Sequence, residues 1–64
     1  MTYGERIRKL REERQMSLRD LSEKSLIDYT VLSRVENDFS ELTVAKAKAI
    51  ARGLGCALSD IVGN

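Results

Sequence analysis

The sequence of 64 residues has no histidine, no proline and a single cysteine. These absences exclude the common zinc sites, and they also exclude an internal disulfide bond. No apolar run is longer than three residues, whereas a membrane-spanning helix needs about 20 and the core of a signal peptide about 7–15. We therefore expect a cytoplasmic protein that has no membrane partner and holds no metal.

Recognisable catalytic patterns are absent as well. The sequence has no nucleophile paired with a base and no glycine-rich phosphate-binding loop, and its ten aspartates and glutamates are scattered. We therefore expect a protein that is not an enzyme, and we expect no cofactor and no small-molecule ligand.

Length and charge restrict the architecture more than the function. The chain is long enough for one small domain, residues 1–64. A domain of this size buries only about 60% of the surface of its unfolded chain, so it depends on compact helix packing or on a partner subunit. Residues 1–34 carry eight basic and six acidic side chains, and residues 35–64 carry three and four. Taken alone, that balance is typical of an ordinary solvated surface.

The spacing of apolar residues predicts five helices and an all-α fold. Their expected bounds are about Tyr3 to Arg14, Leu18 to Ser25, Tyr29 to Asn37, Val44 to Leu54, and Leu58 to Val62. Polar residues suited to N-caps precede four of them, and Gly55 is suited to end the fourth. The expected N-caps are Thr2, Ser17, Asp28 and Thr43. The expected buried faces carry Ile7, Leu10, Leu18, Leu21, Leu32, Val35, Val44, Ala47, Ile50, Ala51, Leu54, Leu58, Ile61 and Val62.

Residues 16–36, with the sequence MSLRDLSEKSLIDYTVLSRVE, resemble the helix-turn-helix of the lambdoid repressor and Cro family. This family is also called the xenobiotic-response-element (XRE) regulators. The similarity extends from about Gly4 to Val62. Its most specific residues are Arg11, Leu21, Ser22, Leu32, Ser33, Arg34, Val35, Glu36, Leu54 and Gly55. The resemblance implies a compact five-helix, lambda-repressor-like DNA-binding domain with its helix-turn-helix at about residues 17–37.

The resemblance also implies which residues contact DNA. The third helix is expected to enter the major groove with the face opposite Leu32 and Val35, which we call the readout face. Its residues are Tyr29, Thr30, Ser33 and Arg34. Phosphate contacts are expected at the start of the second helix and at the end of the third. Their residues are Ser17, Leu18, Arg19 and Asn37, with Arg14 and Lys24 as weaker candidates.

Three structural roles follow from the same resemblance. Arg11 and Glu36 are expected to form a partly buried ion pair between the first and third helices. A two-fold contact between two copies is expected at Ala57, Leu58 and Ile61, although these side chains are equally suited to closing the core of one chain. Cys56 replaces a small apolar residue of the family and is expected to fill space in the core rather than to react.

Two residues depart from the family pattern. Leu26 stands where the turn usually has a glycine in the left-handed conformation, so either this residue is strained or the turn differs in shape. Leu18 stands where the family often has a glutamine that contacts phosphate, and that contact is lost.

The function expected from these observations is a sequence-specific transcriptional regulator that binds double-stranded DNA, as a homodimer on a two-fold operator. One alternative is a protein-interaction module of the same fold, such as an antitoxin-like partner, which the near-neutral charge and Leu18 favour. Another is that the chain is the DNA-binding domain of a longer repressor. Tyr29 to Arg34 and the weakly basic first half favour DNA binding.

Overall fold

A computed structural model describes residues 1–63 and shows five α-helices and no strand among them. The helices are α1 Tyr3–Glu13, α2 Leu18–Ser25, α3 Tyr29–Glu36, α4 Val44–Leu54 and α5 Leu58–Val62. The predicted all-α five-helix fold is therefore confirmed. Helices α1 and α3 end one residue earlier than predicted, because the backbone leaves the helical conformation at Arg14 and Asn37, which are C-caps. None of the helices within residues 1–63 has the length and apolar character needed to cross a membrane.

The predicted N-caps are present at the first four helices. Thr2 and Ser17 each form a reciprocal capping box with an acidic residue three positions later, Glu5 and Asp20. Hydrogen bonds from the cap residue to the carboxylate lower the pKa of both acids, because they stabilise the charged form. Gly55 ends α4 in the left-handed conformation, as predicted. Local sequence therefore determines where these helices begin and where α4 ends.

All five helices contribute to one apolar core. Its buried residues are Ile7, Leu21, Leu32, Val35, Ile50, Ala51, Leu54 and Ile61. Helices α2 and α4 pack closely, since a Cβ atom added at Gly53 would lie 3.1 Å from Leu21 Cδ1 and from Ser25 N. The prediction that Val44 and Val62 belong to the core is wrong, because both are exposed. Val44 is the first residue of α4, where the Cα–Cβ bond points past the end of the helix.

Helix α1 lies directly against the end of α3 at Gly4. A Cβ atom there would come within 2.6 Å of the backbone carbonyl oxygens of Val35 and Glu36. The Thr2 hydroxyl also donates a hydrogen bond to Asp38 Oδ2 at 2.9 Å. The start of α1 thus fixes the end of the helix that carries the readout face.

Candidate nucleic-acid interface

The turn between α2 and α3 contains Leu26 in the left-handed conformation, with φ 61° and ψ 25°. The turn therefore keeps the backbone conformation for which a glycine is usual, and the leucine side chain is 84% exposed. The Ser22 hydroxyl donates to the Ile27 carbonyl at 2.6 Å, and the Ile27 amide donates to Ser25 Oγ at 3.3 Å. These bonds satisfy polar groups of the turn and set the angle at which α3 leaves α2.

The readout face is polar and open to solvent over most of its length. Tyr29, Thr30 and Arg34 are exposed and Ser33 is half-buried, whereas Leu32 and Val35 on the opposite side are buried. The Asp28 carboxylate accepts a hydrogen bond from the Thr30 amide at 3.2 Å and so caps α3. The four predicted residues therefore lie on one surface of α3, and three of them are exposed to solvent.

The start of α2 offers fewer groups to an anion than the sequence predicted. The Ser17 amide donates to Asp20 Oδ2 at 3.0 Å, and the Asp20 amide donates to Ser17 Oγ at 3.0 Å. The Asp20 carboxylate also places a negative charge at this helix end. A phosphate would therefore meet the amides of Leu18 and Arg19 rather than the amide of Ser17.

Arg19 also contacts the first residue of the readout face. Its guanidinium carbon lies 5.4 Å from the centre of the Tyr29 ring. That distance is within the range of a cation–π interaction. The contact crosses from the start of α2 to the start of α3, so it joins an expected phosphate contact to an expected base contact.

Arg11 and Glu36 are brought together in a two-pronged ion pair. Arg11 Nε donates to Glu36 Oε2 at 2.7 Å, and Arg11 Nη2 donates to Oε1 at 3.0 Å. The side chain of Glu36 is 2% exposed and that of Arg11 is 13% exposed. The hydrogen bonds to Glu36 raise the pKa of Arg11. Arg11 Nη1 donates to the Met16 carbonyl as well, at 2.9 Å.

A second arginine, Arg8, extends this pair toward the expected phosphate contact. Arg8 Nε lies 3.4 Å from Glu36 Oε1, and Arg8 Nη2 donates to Asn37 Oδ1 at 2.9 Å. Asn37 Nδ2 donates in turn to the Ser33 carbonyl at 2.8 Å. We call Arg8, Arg11, Glu36 and Asn37 the Glu36 cluster. Arg8 was not among the residues predicted from the sequence, although its spacing of three residues from Arg11 places both on one face of α1.

Two more arginines, Arg6 of α1 and Arg14 at its C-cap, bind helix ends. Arg14 Nε donates to the Leu54 carbonyl at 2.8 Å, and Arg14 Nη1 donates to the Leu10 carbonyl at 3.1 Å. Arg6 Nη1 donates to the Ile61 carbonyl at 3.2 Å. Two of the five N–H donors of Arg14 therefore bind carbonyls that α4 and α1 leave exposed, so Arg14 has a role inside the fold, and a phosphate contact through its other donors stays a prediction.

The structure corrects one of the residues expected between two copies. Ile61 is 0% exposed and belongs to the core of its own chain, so its side chain is not available to a second copy. Ala57 is exposed and Leu58 is half-buried. Cys56 is half-buried against the core, and burial raises the pKa of its thiol, as expected for a residue that fills space.

Two comparisons with known proteins agree with this geometry. Residues 7–61 match the helix-turn-helix family HTH_3. The whole chain is also 35% identical, over 64 residues, to the immunity repressor protein of Bacillus phage phi105. The chain spans 44% of the length of that relative.

Proposed function

This chain belongs to the HTH_3 helix-turn-helix family, and we propose that it is a sequence-specific transcriptional regulator that binds double-stranded DNA. The observation that carries the proposal is the readout face. Tyr29, Thr30 and Arg34 project from a short helix whose other side is buried in the core. The major groove of DNA is wide enough to admit one such helix.

The proposed base contacts follow from the chemistry of the readout face. Arg34 has a forked donor suited to guanine O6 and N7, and the Thr30 methyl and the Tyr29 ring are suited to a thymine methyl. The Ser33 hydroxyl is able to donate a hydrogen bond to a base edge or to accept one from it. Leu18, Arg19 and Asn37 supply phosphate contacts that fix the register of the helix on the duplex.

We further propose that two copies bind a two-fold operator and meet through the exposed part of α5. With Ile61 in the core, the available apolar surface is Ala57, Leu58 and Val62. Repression is the favoured outcome of binding, because the matched relative is an immunity repressor.

Association is tested by sedimentation of Ala57→Asp. Ala57 is the N-cap of α5 and makes no side-chain cap bond, and aspartate is a favourable N-cap, so this variant keeps the fold while placing a charge in the contact. Ala45→Asp, at an exposed position in the first turn of α4, is the matched control. We expect only Ala57→Asp to become monomeric. Equal association of both variants would exclude this surface.

DNA binding is tested by fluorescence anisotropy with mixed-sequence duplex DNA at two salt concentrations. We expect the logarithm of the affinity to fall with the logarithm of salt concentration with a slope of several units, because bound phosphates release counterions. Absence of binding at low salt would overturn the proposal and leave the protein-interaction module as the function.

A further inference from the structure

We infer that Arg19 determines DNA sequence preference through Tyr29, in addition to contacting phosphate. This inference rests on the proposed DNA-binding function. Its basis is the placement of the Arg19 guanidinium 5.4 Å from the centre of the Tyr29 ring. The two side chains come from different helices, and the ring belongs to the readout face.

Tyr29 is able to be oriented by Arg19 because it lies at the exposed start of α3. Nearly half of this residue is accessible to solvent, so packing against the core leaves its ring only partly constrained. A cation held over the ring by the ring's quadrupole limits the orientations that the ring adopts. The orientation of the ring decides which base edge or methyl group it meets in the groove.

The same guanidinium remains able to bind DNA. A cation–π contact leaves N–H donors of the arginine for a phosphate oxygen. Binding of a phosphate would therefore hold Arg19, and Arg19 would hold the Tyr29 ring against the base. A phosphate contact ordinarily fixes register without reading sequence, whereas this pair transmits the contact to a base-reading side chain.

The inference predicts a result that a simple phosphate contact does not. Removing Arg19 should relax preference at the base pair that Tyr29 faces, by about 2–5-fold, the factor that corresponds to an exposed cation–π contact. Tyr29→Leu should relax the same base pair. Lys24→Ala removes another exposed cation of α2 and should lower binding to all sequences alike.

The experiment is selection of bound duplexes from a randomised library, followed by sequencing, with the wild-type chain and these variants. We expect Arg19→Ala and Tyr29→Leu to alter one shared position, and Lys24→Ala to alter none. If Arg19→Ala keeps every base preference and only weakens binding, the inference is overturned while DNA binding stands. If the wild-type chain enriches no sequence, the proposed function fails, and the inference fails with it.

The pair itself is tested without DNA by nuclear magnetic resonance. A ring current from Tyr29 should shift the side-chain protons of Arg19 upfield, and Tyr29→Leu should abolish that shift. Tyr3→Leu removes the other tyrosine and is the control. Arg19 shifts that are unchanged in Tyr29→Leu would show that the two side chains do not meet, which would overturn the inference.

Discussion

Arg11 donates a hydrogen bond to each carboxylate oxygen of Glu36, from Nε to Oε2 at 2.7 Å and from Nη2 to Oε1 at 3.0 Å. Glu36 is the last residue of α3 and is buried, so its carboxylate requires charged partners, and Arg11 is closer to it than Arg8. The pair holds α3, which carries the readout face, against α1. Stability and the placement of the readout face therefore depend on the same two side chains.

Glu36→Gln should destabilise the fold by about 3–5 kcal/mol, because it leaves the Arg11 guanidinium without its charged partner. The free energy of unfolding of a domain of this size is about 5 kcal/mol, so the variant should be close to unfolded. Arg11→Met combined with Glu36→Met should cost much less than the sum of the single changes. Urea unfolding of the double-mutant cycle measures this coupling. The coupling would be contradicted if the costs of Arg11→Met and Glu36→Met were additive and Glu36→Gln lowered the free energy of unfolding by less than about 0.5 kcal/mol.

Arg34→Ala should relax preference at one base pair and cost about 1–3 kcal/mol on the best site, the range for a two-pronged contact with guanine. Arg52→Ala removes an exposed arginine of α4 and should leave base preference unchanged. Anisotropy titrations with the best site and with single-base variants provide the measurement. An equal loss on specific and mixed DNA would make Arg34 a phosphate contact instead.

Arg8→Met should weaken binding to all DNA sequences by about fivefold, because the Asn37 amide loses the hydrogen bond that orients it. The effect on stability should stay below about 1 kcal/mol, since the Arg8 side chain is partly exposed. In a chain that already carries Asn37→Ala, Arg8→Met should lower the DNA affinity little further. Lys9→Met, the neighbouring exposed cation, is the control for lost charge. Full additivity of Arg8→Met and Asn37→Ala would show that the two residues act separately.

Leu26→Asn should stabilise the fold by about 1 kcal/mol, because asparagine tolerates the left-handed conformation that leucine adopts at a cost. Leu26→Ala removes the exposed side chain but keeps the unfavourable conformation, so it should give no such gain. Thermal unfolding of the two variants distinguishes conformational strain from apolar exposure. A gain of equal size in both would assign the effect to exposure.

Acid should weaken the capping box of α2. The pKa of Asp20 is lowered in the folded chain, so below about pH 4 the unfolded chain binds more protons than the folded one. The contribution of Asp20 to stability is therefore complete above the unfolded value and is lost as pH falls through the folded value. Asp20→Asn should show a smaller fall in the urea midpoint between pH 6 and pH 2 than wild type.

Features that depend on near neighbours in sequence were predictable. The caps at Thr2, Ser17, Asp28 and Thr43 lie two or three residues from the amides that they bind, so spacing alone indicates them. At Leu26 the resemblance left two alternatives, a strained left-handed residue or a turn of different shape, and the backbone adopts the left-handed conformation. The exposure of the readout face is now known, but its contacts with DNA stay a prediction.

Features that depend on approach between distant segments were not predictable from periodicity, and the Arg11–Glu36 pair, 25 residues apart in sequence, was predicted only because of the resemblance. Arg6 binds the Ile61 carbonyl and Arg14 binds the Leu54 carbonyl, 55 and 40 residues away in sequence, and periodicity carries no information about these contacts. Burial of Ile61 depends on how α5 docks, since its apolar pattern suits a core position and a contact between copies equally well. The close approach at Gly4 likewise requires the packed position of α1 against α3.

The arginines of α1 and of its C-cap contact three other helices, through Glu36 on α3, the Leu54 carbonyl on α4 and the Ile61 carbonyl on α5. Separation of α3 from α1 would leave the buried carboxylate of Glu36 and the guanidinium of Arg11 without each other, and separation of α4 or α5 would break the arginine bonds to carbonyls in their last turns. Partial opening is therefore costly compared with complete unfolding. Slow amide hydrogens in α3 should exchange with solvent only when the whole chain unfolds, so the readout helix stays fixed whenever the protein is folded.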